Sequence, residues 1–349
     1  MQPALEALPL SIRCARDYAA HARSRLDAQA WDYFDDHAGS GLTRRANRRA
    51  WDRVSLVPRV LRAVAHVDTR MQLLGRNQPS PLLVAPMALQ RLAHPDGELG
   101  SALAAASQGA GFVASMQSSV PLQQIAAAVR NDEGRGPLWF QLCLLQDRAA
   151  TLAIVRQAEA AGYEALVLTV DATIRAPRPL VLPQGVQPVH LPAGAAFHPA
   201  PGWDDVAWLQ SASSLPVLLK GVLHPADAAQ CARMGLAGLV VSNHGGRVLD
   251  GAVATAQALP RIVEAAGGRL PVLVDGGIAQ GTDVAKALAL GARAVLLGRP
   301  VIHGLAAAGA AGAAHVLRLI RDQLRLAMAQ CGAAELAELT PELLFPAFP

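Results

Sequence analysis

Six apolar segments of this sequence end in polar or charged side chains. In chain order, these side chains are Gln141, Thr169 with Asp171, Lys220, Ser242 to His244, Asp275 and Arg299. A single polar residue in such a position is usually a buried group with its hydrogen bonds satisfied. Six together need another explanation, because every buried polar group requires a partner or a ligand. We therefore expect these segment ends to meet in one polar site.

His244 is the residue best suited to acid–base chemistry in that site. A lone histidine is usually structural, but this one lies in the sequence SNHGGR, with acidic residues at neighbouring segment ends. A carboxylate that orients the imidazole and stabilises its charged form is what a general base requires. Arg247, and Arg178 in an earlier loop, are candidates to hold a carboxylate, because the guanidinium fork matches it with two hydrogen bonds.

Two glycine-rich turns indicate a ligand that carries phosphate. DGGIAQGTD (275–283) precedes a helix, and GRP (298–300) follows the next apolar segment. Backbone N–H groups at a helix N-terminus bind phosphate, and Arg299 can add a direct charge. Lys220, behind the apolar run LPVLL, also needs an anionic partner. That partner is either a flavin, which gains negative charge on reduction, or one of the carboxylates Asp171 and Asp275.

The elements that position these residues read as eight β/α repeats. The apolar runs fall at 81–87, 111–116, 138–143, 165–171, 215–221, 238–246, 270–277 and 294–300. They lack alternation, which is typical of parallel strands buried on both faces. Between them, helical spacing predicts helices such as Glu98–Gln108, Leu122–Val129 and Ala149–Ala161, and later Ala226–Met234, Thr255–Ala265 and Asp283–Leu290. Eight such units predict a (β/α)8 TIM barrel, with an open doubly wound sheet as the alternative.

We expect a single domain over 1–349. Residues 1–75 are interpreted as a helical pre-barrel segment, 76–310 as the barrel and 311–349 as closing helices. The Pro- and Gly-rich stretch 172–214 is predicted to be a long loop on the active-site face. Strand ends of a barrel meet at its C-terminal mouth, so the site is expected there.

Composition excludes several classes of function. Apolar residues make up 52% and charged residues 17%, which argues against disorder. The net charge of +4 is weak support for a nucleic-acid partner, and the cluster Arg44, Arg45, Arg48 and Arg49 is interpreted as a solvated face or subunit contact. Four scattered cysteines suggest neither a metal site nor a disulfide framework. With no signal peptide and no apolar run near the ~20 residues of a membrane span, we expect a cytoplasmic protein that does not bind membranes.

The sequence resembles the FMN-dependent 2-hydroxy-acid oxidase and dehydrogenase family, which includes glycolate, lactate and mandelate oxidases. The resemblance rests first on SNHGGRVLDG (242–251) and LPVLVDGGIAQGTDVAKALALGARAVLLGRP (270–300). It extends over nearly the whole chain through DYF…T…N at 32–47, VPRVLR at 57–62, APMALQRLAHPDGE at 85–98, FQL at 140–142 and LTVDA at 168–172.

The resemblance implies a role for each candidate residue. His244 is expected to remove a proton from the substrate, with Asp171 stabilising its charged form. Two mechanisms stay open: hydride transfer from the 2-carbon with loss of the hydroxyl proton, or formation of a carbanion at that carbon. Tyr33, Arg178 and Arg247 are expected to bind the substrate carboxylate. FMN is expected to contact Pro86, Met87, Ala88, Ser115, Gln141, Thr169, Lys220, Ser242, Asp275, Gly276, Gly277, Gly298 and Arg299.

Three features depart from the family pattern. Cys143 stands where the family usually has an active-site tyrosine that contacts substrate. Ala279 stands where the family usually has an arginine that contacts the phosphate, and Gln280 is a candidate to compensate for the missing arginine. The loop after the fourth strand is short for the family, which leaves room for a bulkier, aromatic 2-hydroxy acid such as mandelate. Gln117, at a position often aromatic, points the same way.

The leading hypothesis is an oxidase that converts a small L-2-hydroxy acid to the 2-keto acid and passes electrons to O2. Alternatives are a dehydrogenase with another electron acceptor, and a flavin-binding protein with weak or lost oxidase activity, motivated by Cys143 and Ala279. The family resemblance also implies a homotetramer.

Overall fold

The computed structural model describes residue 8 and residues 11–172 and 181–345. Arg178, one of the predicted carboxylate-binding residues, lies outside the described residues. The chain begins with helical pieces, as expected for the pre-barrel segment. A 3-10 turn (Ala15–Asp17) leads into helices α1 (Tyr18–Arg25), α2 (Ala28–Phe34) and α3 (Leu42–Arg53), which are followed by the short strand β1 (Ser55–Leu56) and the hairpin strands β2 (Met71–Leu73) and β3 (Arg76–Gln78).

Eight parallel strands then close into a barrel, which confirms the predicted fold class. They are β4 (Leu82–Val84), β5 (Gly111–Ser115), β6 (Leu138–Leu142), β7 (Ala165–Thr169), β8 (Val217–Val222), β9 (Gly238–Val241), β10 (Val272–Val274) and β11 (Ala294–Leu297). Each pairs with the next, and β11 pairs with β4 to complete the circle.

Helices follow every barrel strand. They are α4 (Gly97–Ser107), α5 (Leu122–Val129), α6 (Arg148–Ala161), α7 (Trp203–Ala212), α8 (Pro225–Arg233), α9 (Thr255–Ala266), α10 (Gly281–Ala289) and α11 (Arg299–Cys331). The prediction of a loop throughout 172–214 was wrong at α7. Two acidic residues in its first turn, Asp204 and Asp205, favour a helix there, but the preceding run of Pro and Gly concealed the short helical pattern.

The strand period of two residues places the site. Side chains inside the barrel form one apolar layer, which includes Val113, Trp139, Val167, Leu218, Val240 and Leu273. Two residues further along each of these strands comes a buried polar residue: Ser115, Gln141, Thr169, Lys220, Ser242 or Asp275. Because alternate residues of a strand face the same side, the apolar layer seals the barrel and the polar layer lies above it at the C-terminal mouth. Met71 and Leu74 of the β2–β3 hairpin pack against the same apolar cluster.

One helix among the described residues, α11, is long and apolar enough to cross a membrane by length and composition alone. Its most apolar 18-residue stretch is 72% buried inside the fold. Ala308 and Gly309 have non-helical backbone angles, so the helix is kinked there. It contacts α1, α4 and α10, as a core helix does. The last element of the described residues is the short strand β12 (Leu344–Phe345), which pairs with β1.

Candidate active site

The predicted residues meet around a cavity of about 310 Å³ at the barrel mouth. The barrel contributes Pro86, Met87, Ala88, Lys220, His244, Arg247, Asp275, Gly276, Gly277, Gly298 and Arg299 to its wall, and the helices before the barrel contribute Tyr33. Cys143 and Thr169 line a second cavity, of about 550 Å³, at the ends of β6 to β8.

His244 and Asp171 form a close pair at this mouth. His244 Nδ1 lies 3.0 Å from Asp171 Oδ1, although the residues belong to different βα loops. The turn that carries the histidine is strained at His244, a non-glycine residue with a φ of 56°, whereas Gly245 and Gly246 adopt positive φ without strain. A Cβ on Gly246 would lie 2.6 Å from the backbone nitrogen of Arg44. Strain of this kind persists only where the surrounding contacts enforce it, and it concentrates at functional sites.

The turn is enforced by helix α3, which sequence reasoning did not identify as a support. The amides of Asn47 and Asn243 exchange two hydrogen bonds of 2.8 Å in a buried environment. Asn47 Oδ1 also accepts the backbone N–H of Thr255 at 3.1 Å. Trp51 Nε1 donates to the carbonyl oxygen of Gly276 at 2.8 Å. Helix α3 therefore holds the loops after both β9 and β10 in place.

Lys220 is the buried cation of the polar layer. Its Nζ donates to Ser242 Oγ at 2.9 Å and lies 3.3 Å from Asp275 Oδ2. The Lys220 and Asp275 side chains are only 5% and 10% exposed. Ser242 Oγ in turn accepts the backbone N–H of His244 at 3.1 Å, so the lysine and the histidine share one hydroxyl. Asp275, one of the two carboxylates named above as alternative partners for Lys220, thus lies beside it in the same cavity wall.

A chain of hydrogen bonds joins the polar residues of β5, β6 and β7. Ser115 Oγ donates to Gln141 Oε1 at 3.0 Å, and Gln141 Nε2 donates to Thr169 Oγ1 at 3.1 Å. Gln141 Nε2 also lies 3.5 Å from Cys143 Sγ. These bonds fix the orientation of the Gln141 amide at the floor of the mouth.

Arg247 and Tyr33 are adjacent on the cavity wall. Arg247 Nη2 donates to the Tyr33 carbonyl oxygen at 2.7 Å, and its guanidinium lies 5.5 Å from the centre of the Tyr33 ring. The arrangement places a guanidinium beside a phenol, two kinds of group that bind carboxylates.

Arg299 is turned toward the segment before the barrel. It donates to the carbonyl oxygens of Phe34, Gly245 and Asp36. Burial, together with the charges of Arg44 and Arg247, lowers the pKa of Arg299 to about 9. Burial is the largest cause of this shift, and an anion bound beside Arg299 would favour its charged form.

The residues present fit FMN. Asp275 Oδ1 is buried and has no hydrogen-bond partner within the part of the chain that the structure describes, so it can accept a ligand hydroxyl. A Cβ on Gly298 would meet nothing closer than 3.9 Å, so the backbone there is open to the cavity. The guanidinium groups of Arg44, Arg48 and Arg299, which line the same cavity, suit a phosphate. The cavity wall thus offers an acceptor, an open glycine turn and cationic donors in one place.

The interpretation of the four clustered arginines was wrong for two of them. Arg45 and Arg49 are exposed, as a solvated face requires. Arg44 and Arg48 line the cavity instead, together with Arg16 and His303, none of which sequence reasoning placed in the site. Helix spacing alone does not tell which face of α3 meets the barrel, and that is why the inward pair was missed.

Fold and site together define a barrel enzyme that holds a phosphate-bearing cofactor beside a histidine–aspartate pair. Comparisons with known proteins indicate the same class of enzyme. The family model for FMN-dependent dehydrogenase matches residues 22–192 and 184–346. An L-lactate oxidase of Nostoc sp. is 43% identical over 353 residues, which cover 94% of this chain and 96% of the relative. Glycolate oxidase 1 of Zea mays is 40% identical over 348 residues, 93% of each chain.

Solved structures give the same result. A mandelate oxidase mutant with (S)-mandelic acid superposes with a TM-score of 0.90 at 40% identity, covering 96% of this chain and 98% of that one. The chain therefore belongs to the FMN-dependent dehydrogenase family. It is an FMN-dependent 2-hydroxy-acid oxidase, as predicted.

Proposed function

We propose that His244 is the general base of this oxidase and that Asp171 is its partner. The observation that carries the proposal is the 3.0 Å contact between His244 Nδ1 and Asp171 Oδ1 at the mouth of the cofactor cavity. With Nδ1–H donated to the carboxylate, Nε2 is the atom that takes the substrate proton. The imidazolium that results is stabilised by the adjacent negative charge.

Tyr33 and Arg247 hold the substrate carboxylate in this proposal, and Arg178 is a third candidate. A carboxylate bound there would place the hydroxyl-bearing carbon beside His244, since Arg247 is three residues further along the same turn. Such positioning makes the proton transfer effectively intramolecular. FMN, when bound, would supply the two-electron acceptor chemistry that the oxidation needs, with O2 as the final acceptor.

The cofactor is held by the remaining predicted residues. Pro86, Met87 and Ala88 line one wall, and Ser115, Gln141, Thr169 and Ser242, at the floor, would hold the flavin ring and ribityl chain. Lys220 would neutralise negative charge on the ring. Asp275, Gly276, Gly277, Gly298 and Arg299 form the ribityl and phosphate end.

The substrate proposed is an (S)-2-hydroxy acid with an aromatic side chain. Cys143 and Gln117 border the 550 Å³ cavity, whose wall also includes Leu144, Phe197 and Trp203. Phe197 and Trp203 are 37% and 36% exposed, so apolar surface is available to a ligand. Mandelate fits this chemistry better than glycolate, since burying a phenyl group against such a wall stabilises the complex.

A substrate series tests this choice. We expect kcat/KM, followed by peroxide production, to be highest for (S)-mandelate, lower for L-lactate and glycolate, and negligible for (R)-mandelate.

Cys143→Tyr fills the space beside Gln117 and should lower kcat/KM for mandelate about tenfold more than for glycolate. Cys143→Ser, which keeps the volume, is the matched control. An enzyme that prefers glycolate, with no differential effect of Cys143→Tyr, would contradict the aromatic assignment. If Cys143→Tyr instead raises turnover of every substrate, the site has lost oxidase activity through replacement of a tyrosine at position 143.

We also propose that residues 1–349 act as one domain in a cytoplasmic homotetramer. The thiols of Cys14, Cys231 and Cys331 are unbridged, which suits a reducing compartment. Val60 and Leu61 are 81% and 102% exposed on one loop, an apolar surface that a subunit contact would cover. Sedimentation of the purified holoenzyme tests the assembly, and a monomer at micromolar concentration would exclude it.

A further inference from the structure

One end of the cofactor cavity is built by elements from opposite ends of the chain. The first turns of α11 contribute Gly298, Arg299 and His303, the 3-10 turn before α1 contributes Arg16, and the loop after β10 contributes Ala279. Three more guanidinium groups lie at this end besides that of Arg16, those of Arg44, Arg48 and Arg299.

Those three arginines already have partners. Arg48 makes bonds of 2.7 and 2.8 Å to Asp283 and also contacts Asp52. Arg44 Nη2 lies 2.6 Å from Asp35 Oδ1. Arg299 is bound by three backbone carbonyl oxygens. Their charge acts on a bound anion, but most of their N–H groups are in use.

The N-terminus of α10 is also closed to an anion. The backbone N–H groups of Ala279 and Gln280 both donate to Asp283 Oδ2, at 3.0 and 3.1 Å. A phosphate at this turn would face a carboxylate that already accepts those donors. The turn that sequence reasoning assigned to phosphate binding therefore needs donors from other residues.

His303 is one residue with a donor to give. It is 7% exposed, its Nε2 is buried without a hydrogen-bond partner among the described residues, and it lines the cavity. Its ring stacks on Trp31, with centroids 5.5 Å apart and planes 12° apart, so its direction is set. A buried polar nitrogen without a partner costs stability unless a ligand satisfies it.

Arg16 is the second residue that can donate to a ligand. Its Nη2 lies 3.8 Å from Asp52 Oδ1, and its side chain is 41% exposed. With the Gln280 amide oxygen turned toward it, that oxygen accepts from Arg16 Nη2 at 2.8 Å and Nε at 3.2 Å. The guanidinium thus lies beside Gln280, the residue after Ala279, and Arg16 and Ala279 line the same cavity.

We propose that Arg16 and His303 bind the phosphate of FMN in this protein: Arg16 occupies the space that Ala279 leaves open, and His303 donates Nε2–H from the first turns of α11. The proposal rests on FMN as the cofactor. It assigns to the N-terminal segment a part of the binding site that the glycine turns alone do not provide.

The test compares two flavins that differ only in the phosphate. Full-length protein freed of FMN is titrated with FMN and, separately, with riboflavin, and quenching of flavin fluorescence gives each Kd. His303→Phe keeps the ring that stacks on Trp31 and removes the nitrogen, whereas His303→Gln keeps a donor. Arg16→Met removes the guanidinium, and Arg13→Met, on an exposed residue of the same segment, is its control.

We expect His303→Phe and Arg16→Met each to raise the Kd of FMN at least tenfold and to leave that of riboflavin within about twofold, because a charge-assisted hydrogen bond to phosphate is lost. His303→Gln should lie between wild type and His303→Phe, and Ala279→Arg should restore FMN affinity to Arg16→Met. The phosphorus resonance of bound FMN should shift in His303→Gln even if His303→Phe does not fold.

Equal weakening of FMN and riboflavin, or no change in either, would overturn the proposal while leaving the oxidase assignment intact. Wild-type protein that binds neither flavin would contradict FMN as the cofactor, and this proposal with it.

Discussion

At the residue scale, the chemistry depends on one contact between loops that are far apart in sequence. His244 and Asp171 are 73 residues apart, and their 3.0 Å contact exists only because β7 and β9 end at the same mouth. Both were predicted from their positions after apolar runs, because the C-terminal ends of all the strands in a barrel lie at the same mouth. Arg16 and His303 were not predicted, because nothing in their sequence context distinguishes a cavity wall from an ordinary helix face.

His244→Gln should reduce the rate at which substrate bleaches the flavin by about 10³-fold, because the proton acceptor is lost. The visible flavin spectrum before substrate should stay unchanged, since the histidine lies at the substrate side. His94→Gln is the matched control: His94 lies 3.3 Å from Asp96 in a similar pair outside both cavities. Stopped-flow absorbance checks the prediction, and a His244→Gln rate within tenfold of wild type would remove the base assignment.

At the element scale, helix α3 secures the catalytic loops. The helix itself was predictable as part of the pre-barrel segment, but its docking was not. The buried Asn47–Asn243 pair joins residues 196 positions apart, and a sequence does not indicate which of many asparagines pair. One barrel helix, Leu122–Val129, was predicted to the residue because its apolar spacing is regular, whereas α7 was missed because Pro and Gly precede it.

Asn47→Ala should lower the free energy of unfolding by about 3 kcal/mol, because it leaves Asn243 Oδ1 and the Thr255 N–H buried without the partners that Asn47 provides. Urea unfolding of the FMN-free protein measures the change. Asn131→Ala, at an exposed position, should change stability by less than about 0.5 kcal/mol. If the two variants are equally stable, α3 does not support the loops in the way that we describe.

At the scale of the whole molecule, stability is coupled to protonation of a buried ring. Burial is the main cause that lowers the pKa of His303 from 6.5 to about 4; the charge of Asp35 opposes this shift and the charges of Arg299 and Arg44 add to it. Below pH 6.5 the unfolded chain therefore takes up this proton first. The stability that depends on the neutral ring is complete above pH 6.5 and is lost as the pH falls toward 4.

His303→Phe should flatten that pH dependence in the FMN-free protein. The wild-type protein should lose up to about 3 kcal/mol more than the variant between pH 6.5 and 4. His190 and His315, whose pKa values are also lowered by burial, are common to both proteins and cancel in the comparison. Tm measured across this range gives the difference, and parallel curves would show that His303 does not titrate in this way.

The architecture as a whole was the most predictable feature. Eight consecutive β/α units in a chain of 349 residues are typical of a closed barrel. The fold and the location of the mouth therefore followed from counting the apolar runs. The way in which the N-terminal helices cover the cofactor end did not follow, because it depends on long-range contacts such as that of Arg48 with Asp283, 235 residues away.

The central claim, that this barrel uses FMN to oxidise a 2-hydroxy acid, is tested most directly by the visible spectrum of the purified protein. (S)-mandelate and (R)-mandelate are added in turn without air, and air is then admitted. We predict a yellow protein that the (S) acid bleaches and the (R) acid does not, with rapid return of colour and peroxide formation in O2. A protein that binds no FMN, or one whose bound FMN is bleached by no 2-hydroxy acid, would contradict the account.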